Sequence, residues 1–87
     1  GAPATLHGGM VAMALDELMR QVNFLNGAGA FTGTMTVRYH RPTPIERELT
    51  FLGEMVEADG RKVKSRAEIR CDGELMASAE GLFIRPR

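Results

Sequence analysis

The spacing of apolar residues changes once along this chain, close to residue 30. Between residues 10 and 25, Val11, Leu15, Leu18, Met19 and Val22 fall at i, i+4, i+7, i+8 and i+11, one apolar stripe at helical spacing. Ala12 and Ala14 permit close approach of a neighbouring element, and Asn26-Gly27 supplies a stop signal. Only Asp16, Glu17 and Arg20 carry charge here, so most of the helix is expected to be buried. Beyond the glycine-containing turn at residues 26–29 the period drops to two. Phe31, Met35, Val37 and Tyr39 alternate with Thr32, Thr34, Thr36 and Arg38, a half-buried strand closed by Pro42 and Pro44. A second strand is expected from about residue 48 to residue 57. Asp59-Gly60 turns it into a third, with Val63, Ala67 and Ile69 inward and Lys64, Arg66, Glu68 and Arg70 outward. Asp72-Gly73 marks the next hairpin, and a last strand over residues 74–84 sets Leu75, Ala77, Ala79 and Phe83 on one face.

One long helix followed by a four-stranded antiparallel meander is an α+β chain. A sheet with one apolar face and a helix with one apolar stripe bury each other. The inward residues of the last two strands (Ser65, Ala67, Ala77, Ala79 and Gly81) are small, which lets the sheet curve closely around the helix. At 87 residues there is room for one domain. The 11 basic and 11 acidic residues cancel, which excludes both the basic footprint of a general nucleic-acid binder and an acidic tail. The single Cys71 cannot close an internal disulfide; it reads as a small buried apolar residue and leans toward a reducing, cytoplasmic setting. Two histidines supply a zinc site poorly, so no metal is expected. The uncharged stretch at residues 1–15 is too short to span a bilayer, and no membrane association is expected.

The chemically informative segment is Thr5-Leu6-His7-Gly8-Gly9 running into the helix that carries Asp16. Two glycines at a helix start cost roughly 0.5–1 kcal/mol each relative to alanine, a cost explained if something must approach the backbone. The first N–H groups of a helix lack internal partners and sit at its positive end, so the Gly8 N–H is placed to bind a developing oxyanion. The plainer alternative is a tight entry turn capped by Thr5. Asp16 likewise has two readings, a surface carboxylate paired with Arg20 at i+4 or a catalytic carboxylate. Eight residues at 1.5 Å rise separate Gly8 from Asp16 by roughly 12 Å along the axis, too far for one carbonyl to touch both. Two such helices packed antiparallel about a two-fold bring Asp16 of one chain near Gly8 of the other, so a catalytic reading implies a homodimer with two equivalent sites.

His7-Gly8-Gly9 with Asp16, then Tyr39-His40-Arg41-Pro42-Thr43-Pro44, then Asp59-Gly60-Arg61-Lys62-Val63 and the ending Met76-Ala77-Ser78-Ala79-Glu80-Gly81-Leu82-Phe83-Ile84, resembles the hotdog-fold acyl-CoA thioesterases of the phenylacetate-pathway type. The resemblance spans almost the whole chain. It implies a single hotdog domain over residues 1–87, a long central helix wrapped by a curved antiparallel sheet, without the N-terminal segment that relatives carry before the His-Gly-Gly loop. It also implies a homodimer or homotetramer whose dimers join sheets edge to edge, with active sites at the dimer interface. The implied reaction is hydrolysis of an acyl-CoA thioester to free acid and coenzyme A, the coenzyme being part of the substrate and no separate cofactor being needed. By this resemblance Gly8 donates its N–H to the oxyanion, Asp16 acts as general base or nucleophile, and Thr32 orients the water. His7 and Gly9 belong to the substrate-binding loop, His7 fixing it by hydrogen bonding rather than serving as the base. Gly60, Arg61 and Lys62 lie where relatives contact the pantetheine arm or phosphates of coenzyme A, the alternative there being a solvated turn. Met10, Met13, Met19 and Phe24 are candidate walls for the acyl group. A non-catalytic hotdog module that binds acyl-CoA or serves as an assembly unit is the competing reading. A hydratase is disfavoured because His7 sits in the glycine loop and His40 falls on the polar face of its strand.

Overall fold

In the computed structural model, which describes residues 5–87, the helix begins two residues ahead of its expected start: α1 spans Gly8–Leu25. The cap explains this. His7 has extended backbone, its Nδ1 accepts the Gly9 N–H at 3.0 Å, and its carbonyl accepts Met10 and Val11 at 2.9 and 3.1 Å. The Thr5 cap of the plainer alternative is not formed: Thr5 is drawn into an antiparallel bridge with Pro44 while the Leu6 N–H donates to the Thr43 carbonyl at 2.8 Å.

Four strands follow: β1 (Phe31–Tyr39), β2 (Thr50–Asp59), β3 (Lys62–Cys71) and β4 (Glu74–Ile84). They form one antiparallel sheet in the order β1-β4-β3-β2. The expected four-strand meander therefore holds only for β2-β3-β4. Residues 40–49, with Pro42 and Pro44, cannot close a tight hairpin, so β1 pairs with β4 and the chain crosses to the far edge before β2 begins. A second correction concerns β4. The register shifts from Ile69↔Ala77 to Arg70↔Leu75, so Met76 is an extra residue that is buried on the inner side while half-buried Leu75 sits opposite outward-facing Arg70.

Val11, Leu15 and Met19 of α1 pack on Val63, Ile69, Ala77, Ala79 and Phe83 of the sheet. Close approach is achieved by two glycines. A Cβ on Gly53 would stand 3.0 Å from both Leu18 and Val22, and one on Gly81 would meet the Phe83 ring at 2.5 Å. The expectation of a largely buried helix is overturned: Met13, Phe24 and Leu25 are 72%, 74% and 80% exposed. One sheet of four strands covers one side of a helix and leaves the other to solvent. A polar residue enters the core instead, Asn23, whose Oδ1 accepts the Ser65 hydroxyl and whose Nδ2 has no partner among the described residues.

The outer face of the sheet is charged and internally paired. Arg66 grips both carboxylate oxygens of Glu54 at 3.0 and 3.1 Å, and Arg70 reaches Glu68 at 2.9 Å. That hydrogen bond first, and the Glu68 charge second, raise the Arg70 guanidinium above its ordinary value. Cys71 is buried and free, as its composition-level reading anticipates.

Candidate functional site

Asp16 stands two turns into α1 on the side that faces β1, half-buried. Its Oδ1 accepts the Thr32 hydroxyl at 2.5 Å, a short charge-assisted contact. The surface alternative for Asp16 fails, since Arg20 instead pairs with Glu17 at 3.6 Å. Thr32 is aimed inward by local backbone geometry. The β1 register shifts between Thr32 and Thr34, and Gly33 fills the irregularity because a Cβ there would press on the Leu82 carbonyl at 3.1 Å. Thus Asp16 and Thr32, sixteen residues apart in sequence, are brought together by the fold.

The glycine loop is held at the opposite end of β1. The Tyr39 hydroxyl donates to the Gly8 carbonyl at 2.7 Å, tying the helix start to the strand end. Tyr39 received no role from the sequence beyond its place in a motif; the signal was the Tyr-x-x-Pro strand ending. His7 locks the loop through the Gly9 N–H, as expected. With Gly9, Met10 and Val11 all donating to His7, the Gly8 N–H is left as the helix-start donor without a partner among the described residues. Within one chain, then, Gly8 and Asp16 are not brought together. Each is anchored to a different end of β1, and β1 is an edge strand.

Gly60 and Arg61 form the β2–β3 turn, with Gly60 at φ +60 and open space around it, and Lys62 opens β3. Lys62 and Phe31 both pair with Ile84, so this basic turn lies at the Thr32 end of the sheet. Arg61 is partly committed, its Nε donating to the Arg85 carbonyl at 3.1 Å. Of the candidate acyl walls, Met10, Met13 and Phe24 are exposed, but Met19 is buried in the core near Gly81 and cannot serve. His40 is exposed, as expected, with Nε2 3.0 Å from the Ser78 hydroxyl. A cavity of about 480 Å³ opens beside Phe24, Leu25, Gly29 and Ala30, and one of about 300 Å³ beside Gly8, Tyr39 and Pro42. Among the described residues no group of three or more His, Cys, Asp or Glu is placed to hold a metal ion, and no helix is long and apolar enough to cross a membrane.

The model of the thioesterase superfamily matches residues 4–77. The chain is 28% identical over 98% of its length to the acyl-coenzyme A thioesterase THEM4 of Bos taurus, covering 35% of that protein. To THEM4 of Xenopus laevis it is 30% identical over 98% of its length, covering 39%. The chain thus spans little more than a third of the length of these curated relatives. A solved thioesterase superfamily protein superposes with a TM-score of 0.90 at 40% identity, over 97% of this chain and 42% of that one. A Streptococcus pneumoniae thioesterase protein solved with coenzyme A shares the fold at a TM-score of 0.88 and 20% identity, over 93% of this chain and 66% of that one.

Proposed function

The chain belongs to the thioesterase superfamily, and from that premise we propose that it hydrolyses acyl-CoA thioesters, as a dimer, with Asp16 as the general base. The observation that carries this reading is the Asp16–Thr32 contact at 2.5 Å, a half-buried carboxylate fixed through one oxygen and left with the other for a water. The names of the curated relatives, acyl-coenzyme A thioesterases, support the substrate class.

The uncovered edge of β1 supports the dimer. Its backbone groups are unpaired on one side, and along its length only Arg38 is charged, a weak guard against pairing with another strand. Antiparallel pairing with a second β1 about central Met35 sets the Thr32 end of one strand against the Tyr39 end of the other. Asp16 then neighbours Gly8 of the partner subunit, and each dimer holds two sites. The thioester oxygen accepts the Gly8 N–H, helped by the positive end of α1. Asp16 takes a proton from water as the water oxygen bonds to the carbonyl carbon. The C–S bond then breaks, and the departing thiolate receives that proton. A thiolate leaves readily, so a single carboxylate suffices as catalyst. His7 and Gly9 shape the loop around the oxygen, and Gly60, Arg61 and Lys62 present donors and positive charge to the coenzyme's phosphates. The buried, unpaired Cys71 suits a reducing compartment such as the cytoplasm.

The test is thiol release from short, long and aryl acyl-CoAs. Asp16→Asn is expected to lose about a hundredfold or more in kcat, the scale of a missing general base. Single turnover in ¹⁸O-labelled water is expected to put label in the acid product and none in the Asp16 carboxylate; label in Asp16 would identify it as a nucleophile. A folded dimer that binds acyl-CoA without turnover would establish the binding-module reading instead.

A further inference from the structure

Residues 40–49, which carry the chain from β1 to the far edge of the sheet, touch the glycine loop on one side and the β3–β4 hairpin on the other. On the loop side the crossing starts beside Tyr39, whose hydroxyl holds the Gly8 carbonyl. It then runs antiparallel to the residues ahead of α1: Thr5 bridges Pro44, and the Leu6 N–H donates to the carbonyl of buried Thr43 at 2.8 Å. His7 and Gly8 come next, so a displacement of Thr43 reaches the head of α1 through one backbone hydrogen bond. On the hairpin side the crossing is tied at its start by the His40 and Arg41 N–H groups, which donate to the Met76 carbonyl at 2.8 and 3.0 Å. Side chains make the remaining ties. Arg41 Nε stands 2.8 Å from a Glu74 carboxylate oxygen, Arg47 pairs with Asp72, and Leu49 packs against the core just before β2. Between crossing and hairpin opens a cavity of about 830 Å³, lined by Pro42, Pro44, Met76 and buried Cys71 as well as by the charged pairs. The crossing therefore spans a void here instead of resting on packed side chains, and the ion pairs set its height.

We propose that Arg41–Glu74 and Arg47–Asp72 form an ionic clamp that sets the position of the Gly8 N–H, which makes these four side chains positioning residues for hydrolysis. The inference rests on the reading of Gly8 as oxyanion donor given above. Each pair is exposed, and an exposed pair adds little to the stability of the whole fold. A transition-state donor is more demanding, because a misplacement of about 1 Å costs about a hundredfold in rate. The oxyanion bond strengthens in the transition state, so the clamp acts on kcat and leaves KM unchanged. Its acidic half is separable from the turn that carries it. Asp72 has a φ of 53°, a left-handed conformation that asparagine adopts as readily as aspartate, so Asp72→Asn removes the charge and keeps the hairpin.

Asp72→Asn combined with Glu74→Gln, with circular dichroism to confirm folding, tests the proposal on three readouts. Cys71 is the one thiol of the chain and lines the cavity under the clamp. Its reaction with an aromatic disulfide reagent is expected to quicken about fivefold, the ratio that an exposed ion pair supplies at its upper limit. The Gly9 amide, held by His7 Nδ1, is expected to exchange its hydrogen faster to a similar extent, a measure of the loop that needs no turnover. With acyl-CoA, kcat is expected to fall about fivefold at unchanged KM. Wild-type kcat is expected to fall likewise toward about 1 M salt, where charges are screened beyond about 3 Å. Arg41→Glu with Glu74→Arg reverses one pair and is expected to recover wild-type values, which Arg41→Glu alone does not. Wild-type Cys71 reactivity or wild-type Gly9 exchange in the folded variant would overturn the clamp. Faster Cys71 and Gly9 reactions at unchanged kcat would overturn its positioning role. A wild type that turns over no acyl-CoA would overturn the hydrolytic reading, and Cys71 and Gly9 would still decide whether the clamp holds the loop.

Discussion

Gly8 is not demanded by space. A Cβ there would meet the Tyr39 ring and hydroxyl at 3.6 Å, an ordinary contact. What the position supplies is a backbone N–H at the head of α1, and that can be removed with little disturbance. The first helical residue is where proline is best tolerated, and the extended backbone of His7 is what a residue before proline prefers. Gly8→Pro is therefore expected to keep the circular dichroism of the wild type while kcat falls by about a hundred- to a thousandfold, the range for a lost oxyanion donor. Gly8→Ala keeps the N–H and is expected to keep most of the activity. Equal losses in both variants would point to crowding at Tyr39 and count against the donor role.

At the scale of elements, the sheet curves around α1 with small residues, Ala67, Ala77, Ala79 and Gly81, set among the large side chains of its inner face. Gly81 is the tightest place, with the Phe83 ring lying over it and the Met19 methyl 3.4 Å from where a Cβ would be. Phe83 and Met19 are both fully buried, so neither can swing out to make room. Gly81→Ala is expected to lower stability by about 1–3 kcal/mol, the usual cost of overpacking a core, read as a shift in urea midpoint without a change in slope. At Gly53 the obstructing atoms belong to Leu18 and Val22, both only half-buried and better able to yield. Gly53→Ala is expected to be the milder of the two, and the opposite ranking would mean that the helix, not the ring, sets the curvature.

For the whole molecule, Asp16 and Gly8 stand at opposite ends of β1, so in the proposed dimer each site is shared. Chains carrying Asp16→Asn alone or Gly8→Pro alone are expected to be inactive. When the two are unfolded together, refolded and assayed, half of the dimers pair one of each kind, and in those one site of two is intact. Activity is expected to return to about a quarter of wild type, the statistical value for a two-fold symmetric dimer. Recovery that fails although mixed dimers form would place both groups in the same chain's site.

The helix stripe, the presence of four strands, the alternation of β3 and the two tight hairpins at Gly60 and Gly73 were legible in the residues because each depends on neighbours within a few positions. The His7-Gly8-Gly9 loop and Asp16 were legible as chemistry for a similar reason, being glycines and an acid where a helix has little local use for them. Which strand pairs with β1 was not, because that depends on a crossing made through Pro42 and Pro44. Nor was the inward turn of Met76, since a single extra residue reverses the alternation and leaves no mark in composition. Asn23 in the core ran against its polarity, its burial set by Ser65 forty-two residues away. Thr32 had its place beside Asp16 only by resemblance until the fold brought the two within 2.5 Å. Sequence by itself determined the elements and the reactive groups, because periodicity and side-chain chemistry are local. Tertiary structure alone decided which groups meet, because that follows from how one curved sheet closes over one helix and leaves β1 and the far side of α1 uncovered.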